Sequence, residues 1–227
     1  MAKPKTQDKI ISASLTLFNE QGERNVTTNH IASHLGISPG NLYYHFKNKQ
    51  EIIYQIYLQY ENDLQKILVL PHGRSITLAD KQDYLTQVAQ CMWYYRFFHR
   101  DLEHLLSSDP KLHERYKQFS RFCLQSAEAI YEALRTAGYI RASDCQLKAL
   151  SNHCWITMTS WIGFLRTAVL SNSNSLTKQW IHESIFQIMA IEQAFFTEKA
   201  LCELKILPEL TSPSLLFEAI DAVPMDH

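Results

Sequence analysis

Glycine and proline are scarce in this chain, six and seven in 227 residues. A fold of many short strands uses both at its turns, so their scarcity points away from turn-rich β structure. No segment alternates apolar and polar residues over any length, which is the pattern of a half-buried strand. Long apolar runs are missing as well. The longest uncharged stretch, Ala149 to Leu165, is 17 residues and contains Asn152 and His153. It is too short and too polar to span a bilayer, so no membrane partner is expected. The five cysteines, at 91, 123, 145, 154 and 202, show no CxxC spacing and an odd count. Lys3, Lys5 and Lys9 lead into an amphipathic helix and not into an apolar signal segment. The chain therefore reads as cytoplasmic, with reduced thiols.

An excess charge of one sign is also absent, since the formal net charge is −1. Its distribution is uneven. Residues 1–50 hold Lys3, Lys5, Lys9, Arg24, Lys47 and Lys49 against Asp8, Glu20 and Glu23, a balance of +3. A mildly basic head on an acidic body fits a nucleic-acid-binding domain joined to something else. Nothing in the chain has the spacing of a nucleophile and its base, of a metal cluster or of a phosphate loop. His99, His104 and His113 are spaced by five and nine, which does not place them on one helix face. No catalytic residue, metal site or cofactor is expected, and the chain is not read as an enzyme.

What is present is a long series of helical patterns. The first runs from Thr6 to Gln21, with Ile10, Ile11, Ser14, Leu17 and Phe18 as its inner stripe and Gly22 at its end. Two short helices follow. Thr27 or Thr28 offers a hydroxyl cap ahead of Ile31, Ala32 and Leu35, and Gly36 supplies the residue that tolerates positive φ. Ser38 then caps a helix with Pro39 at its first position, running to about Phe46. Leu42 and Phe46 share its inner face, while Asn41, Tyr43, Tyr44 and His45 lie on the other. Two helices of this length around a glycine-containing turn form a helix-turn-helix, whose second helix enters the major groove.

The string GNLYYHFKNKQEI, with the preceding TT, IA and LG elements in register, resembles the amino-terminal domain of TetR-type transcriptional repressors over residues 8–56. One departure is His30, which stands where that family often has a glutamate completing a capping box, so a slightly weaker cap is expected. Chemistry and resemblance together nominate Thr27, Thr28, Ser38, Pro39, Gly40, Asn41, Tyr43, Tyr44, His45 and Lys49 for DNA binding. Hydroxyls, helix-start amides and the Lys49 charge suit phosphate, and Gly40 and Asn41 sit at the end that meets base edges.

A fourth helix, from about Lys49 to about Leu70, is expected to bridge two domains. The helices expected beyond it run from Asp80 to His99, Leu102 to Ser107, Lys111 to Ala137, Ser143 to Ser171 and Leu176 to Ala200. A polar turn is expected at Asn172 to Ser175. The expected architecture is all-α, about nine helices in all. A three-helix DNA-binding domain over residues 1–50 precedes an antiparallel effector-binding and dimerisation bundle over 51–205 and a loose tail over 206–227. Trp93, Phe97, Phe122, Trp155, Met158 and Trp161 are candidates to line an effector pocket. The last two long helices are apolar on more than one side, which suggests a four-helix homodimer interface involving Met158, Leu165, Ile188, Ile191 and Phe195. The resemblance implies the same pairing. The function these features imply is repression at a near-palindromic double-stranded operator, relieved by a small apolar or amphipathic effector. A regulator without such an effector and an all-α enzyme are the alternatives.

Overall fold

The computed structural model describes residues 6–170 and 176–204. Eleven α-helices occur among them, and the only strand-like pairing among them is one isolated antiparallel bridge between Ile140 and Phe196. The polar turn expected at 172–175 and the tail expected over 206–227 lie outside the described residues. The helices are α1 (Thr6–Gln21), α2 (Thr28–Leu35), α3 (Pro39–His45), α4 (Lys49–Ile67) and α5 (Leu78–Tyr94). They continue with α6 (Arg96–Arg100), α7 (Leu102–Ser108), α8 (Pro110–Thr136), α9 (Asp144–Phe164), α10 (Lys178–Glu192) and α11 (Glu198–Leu204). The chain divides into two compact units: residues up to Leu64 with Tyr95–Gln118, and Gln65–Tyr94 with the residues from Phe119 onward.

In the first unit the expected stripe of α1 is buried, from Ile10 to Phe18, and α1 stops at Gly22, whose φ is 90°. Ile52, Ile53 and Ile56 of α4 are buried with it, followed by Tyr57, Tyr60 and Leu64 on the same helix. This unit is larger than the residues 1–50 suggested by the sequence, because a distant segment completes it. Phe97 of α6 is fully buried with its ring 5.2 Å from that of Phe18, and its N–H donates to Asn19 Oδ1 at 3.0 Å. Arg100 Nη2 donates to the Phe18 carbonyl at 2.7 Å, satisfying the open end of α1. Tyr95 donates to Asp63 at 2.8 Å, His99 Nε2 and the Tyr60 hydroxyl lie 3.0 Å apart, and Arg115 grips Glu61 at 2.7 and 2.8 Å.

In the second unit α10 packs on α5 and α9. Its core includes Leu85, Ala89, Met92, Leu134, Leu150, Trp161, Leu165 and Ile188. A polar group sits inside this core. Lys81 Nζ lies 2.9 and 2.8 Å from the two oxygens of Glu192, with the two side chains 4% and 0% exposed. The Tyr131 hydroxyl donates to the same carboxylate, and Lys81 stands over the Tyr131 ring. Burial pushes the Tyr131 hydroxyl well above its ordinary pKa and raises the neighbouring Cys154 thiol to about 11.

Two expected long helices are divided. The helix expected over residues 80–99 breaks at Tyr95, which is non-helical, and resumes as α6. The last helix leaves α10 after Glu192, passes through a 3₁₀ turn over Gln193–Phe195 and restarts as α11. Phe196 is extended because the chain pairs there with residues 139–141. Arg141 N–H donates to the Phe195 carbonyl at 2.8 Å, and Thr197 N–H to the Tyr139 carbonyl at 3.0 Å. These distant bonds outweigh local helix preference. Helix α9 likewise ends in a π-helical turn over Leu165–Val169.

Candidate nucleic-acid interface

Helices α2 and α3 are set by their caps. The Thr27 hydroxyl accepts from His30 N–H at 3.2 Å, and Thr27 N–H donates to His30 Nδ1 at 3.4 Å. The imidazole thus fills the place of the usual glutamate and closes the capping box that its presence was expected to weaken. Gly36, at φ 65°, ends α2, and the Ile37 N–H returns to the Ala32 carbonyl at 3.0 Å. Ser38 caps α3 by accepting from Asn41 N–H at 3.1 Å, with Pro39 at the first helical position.

Leu42 and Phe46 anchor α3 from behind, at 0% and 3% exposure. Its other face is open: Ser38, Pro39, Gly40, Asn41, Tyr43 and Tyr44 are all exposed, and His45 is half-buried. Tyr44 is 85% exposed, and its ring meets that of His45 edge-on. The Tyr43 hydroxyl is 2.9 Å from the Thr28 hydroxyl, a bond that ties α3 to α2. A Cβ placed on Gly40 would meet nothing closer than Ser38 Oγ at 3.9 Å. Nothing within the fold therefore requires glycine there, although glycine costs a helix roughly 1 kcal/mol relative to alanine. Its missing side chain leaves room for something outside the protein to approach.

Lys49 is placed differently from its neighbours in the nominated set. Its ammonium lies 2.6 Å from Glu23 Oε1 and donates to the carbonyls of Glu23 and Val26 at 3.0 and 3.1 Å. Three protons and three acceptors match, so the charge is directed inward, onto the turn that leads into α2. Lys47 is a cation that the sequence reading did not nominate. It is exposed two residues beyond α3, while its backbone N–H donates to Glu51 Oε2 at 2.8 Å. It stands in the same GNLYYHFKNKQEI string as Lys49, and the sequence alone does not tell which of the two lysines points outward.

The six residues nominated for an effector pocket do not fall in one unit. Phe97 belongs to the core of the first, against Phe18. Trp93, Phe122, Trp155, Met158 and Trp161 are in the second. Phe122 stacks on Phe119, and Trp161 is buried with its Nε1–H donating to the Trp180 carbonyl at 2.6 Å. The residues nominated for a dimer interface divide as well. Met158, Leu165 and Ile188 are 5%, 0% and 0% exposed within the single chain, so they have no surface left to offer a second copy. Ile191 is 49% exposed, and Phe195 is half-buried. Ile156 and Phe164 of α9 are also exposed, at 59% and 40%. Among the described residues no helix is long and apolar enough to cross a membrane.

Residues 10–56 match a family described as bacterial regulatory proteins of the tetR family, and residues 59–204 one described as bacterial transcriptional repressors. A TetR-family transcriptional regulator from Marinobacter aquaeolei VT8, of known crystal structure, is 43% identical. Its superposition covers 92% of this chain and 100% of that one at a TM-score of 0.84. An HTH-type transcriptional regulator of Staphylococcus aureus strain MRSA252 is 27% identical over 135 residues, which is 49% of this chain and 72% of that protein. The icaADBC biofilm operon negative transcriptional regulator IcaR of Staphylococcus epidermidis is 44% identical over 46 residues, 20% of this chain and 25% of that protein. With its head and its helical body both matched, this chain belongs to the TetR family of DNA-binding transcriptional regulators.

Proposed function

We propose that the protein is a cytoplasmic homodimeric repressor that holds a near-palindromic operator and releases it when a small apolar or amphipathic effector binds. The observation that carries this is the open face of α3. A helix anchored by Leu42 and Phe46 presents Ser38, Gly40, Asn41, Tyr43 and Tyr44 outward. Asn41 and the bare backbone at Gly40 read base edges. Thr27, Thr28, Ser38, Pro39, Tyr43, Tyr44 and His45 follow the phosphates through hydroxyls, ring edges and helix-start amides. Lys47 supplies the phosphate contact by charge, and Lys49 acts as a positioning residue that holds α4 to the turn before α2. Repression is supported by the family description and by the negative regulation named for IcaR.

The dimer reading rests on the outer face of α9. Ala149, Asn152, Ile156, Ser160, Phe164 and Thr167 recur there at helical spacing without a charge, and Ile191 of α10 is also exposed. Two copies related by a two-fold axis would cover these faces and set two α3 helices about one DNA turn, ~34 Å, apart. Selection from a random DNA pool should return an inverted repeat with half-sites at that spacing. Recovery of unrelated sequences would overturn the operator reading. Light scattering should give twice the chain mass, and Ile156→Glu should give folded monomers with weakened operator binding. A dimer that survives this charge would place the interface elsewhere.

A further inference from the structure

The imidazole of His30 closes the capping box of α2 with only one of its two nitrogens. Thr27 N–H donates to Nδ1 at 3.4 Å, so Nδ1 is the acceptor and the proton of the neutral ring sits on Nε2. The Thr27 hydroxyl accepts from His30 N–H at 3.2 Å and holds the same turn from the other side. The cap thus sets the tautomer and ties down the ring. His30 is exposed, and its Nε2 has no hydrogen-bond partner among the described residues.

This spare donor stands beside the DNA-reading face. Thr28, two residues earlier, is tied through its hydroxyl to that of Tyr43 at 2.9 Å, so the first turn of α2 is joined to the open face of α3. That first turn carries no acidic residue. A glutamate at position 30 would close the same box but bring a carboxylate, which only accepts and repels phosphate. The neutral imidazole closes it without charge and leaves a donor over.

We propose that His30 is a further DNA-contacting residue, donating from Nε2–H to a phosphate oxygen of the operator backbone. The contact rests on the repressor reading above and adds to it a residue that otherwise only caps α2. Phosphate follows from position, since the first helix of a helix-turn-helix crosses the backbone while the second enters the groove. Such a contact sets register and orientation and carries no base sequence, so its loss weakens binding to all sequences alike.

The test compares the full chain with His30→Gln and His30→Glu on a DNA duplex recovered by the selection described above. Both replacements can accept from Thr27 N–H, so both should keep the melting temperature. Glutamine retains a donor and should bind nearly as the unmodified protein does. Glutamate does not, and should bind roughly tenfold to a hundredfold more weakly, the value of a hydrogen bond to a charged group. Equal binding by all three would overturn the contact. A charge acting from a distance is separated by replacing the phosphates one at a time with methylphosphonate. At one position the difference between the unmodified protein and His30→Glu should vanish. A difference that persists at every position would also overturn the contact.

Isotope-labelled histidine gives a second readout, with the His30 resonances identified by their loss in His30→Gln. At about pH 8, above the ordinary imidazole range, the free protein should carry the His30 proton on Nε2. Added duplex should shift Nε2 and leave Nδ1 in place. A proton on Nδ1 would overturn the proposal. A chain that retains no duplex would defeat the repressor reading and the contact with it, whereas a duplex bound with Nε2 unmoved would defeat the contact alone.

Discussion

Lys49 Nζ lies 2.6 Å from Glu23 Oε1, and the same ammonium reaches the backbone carbonyls on either side of the short turn between α1 and α2. Lys47, two residues earlier, stands in solvent. The two lysines should separate by experiment. Lys47→Ala should weaken binding to all DNA sequences alike and make the salt dependence shallower by about one unit. Lys49→Ala should lower folding stability by about 1–3 kcal/mol, because Glu23 stays buried without its partner. A shallower slope for Lys49→Ala at unchanged stability would return that residue to the phosphates.

Gly40 and Tyr44 test the open face of α3. Gly40→Ala should stabilise the helix, by up to roughly 1 kcal/mol in thermal unfolding, while weakening operator binding. Tyr44→Ala should change stability by less than about 0.5 kcal/mol, as an exposed side chain does, and also weaken the operator. Full operator affinity in Gly40→Ala would show that DNA does not approach that backbone.

Much of this head was legible in the sequence because its signals are local. Thr27, Gly36, Ser38 and Pro39 each fix a helix boundary within three or four residues. The imidazole that closes the α2 box was present in the sequence but was read as a departure, since chemical identity alone does not reveal where Nδ1 points. The helix breaks at Tyr95 and Phe196 were not legible, because they depend on bonds to residues distant in the chain, such as Tyr139 and Asp63. Periodicity also could not sort Ile188 from Ile191. On helices that are apolar all round, three residues separate the core from the surface, and only neighbouring elements decide which is which.

Buried charge in the second unit gives a third prediction. Lys81→Met leaves the Glu192 carboxylate inside a hydrophobic core without its cation and should cost about 3–5 kcal/mol. Lys81→Met combined with Glu192→Gln should recover most of that, because the amide still accepts from Tyr131 and carries no charge. Chemical denaturation of the four proteins gives the comparison. Additive losses in the double variant would mean that the two residues do not act as a pair.

Acid sensitivity provides a fourth. The Arg74 guanidinium beside Asp80, at 2.6 Å, holds that carboxyl well below the ordinary carboxylate range, assisted by bonds from Thr77 at the start of α5. Because the folded pKa is depressed, the stabilisation is complete above the unfolded value near 3.9 and is lost as pH falls below it. Arg74 is largely exposed, so solvent screening keeps the contribution modest. Asp80→Asn should therefore melt below the unmodified protein at neutral pH, with the gap closing progressively as the pH falls from about 3.9 toward the much lower folded value. A gap that persists in strong acid would assign the effect to packing.

The separation of 111 positions between Lys81 and Glu192 has a consequence for biosynthesis. A chain made from its amino end at ~5–20 residues per second delivers the ammonium of α5 several seconds before the carboxylate that will neutralise it. Until α10 leaves the ribosome, the inner face of α5 carries a cation that cannot be enclosed, so the second unit waits for its last helices. The first unit ends at Gln118, so all its residues are made while the rest is still being translated. The residues of the DNA-reading head are thus complete early, and a ribosome that stops before residue 192 leaves Lys81 without its carboxylate.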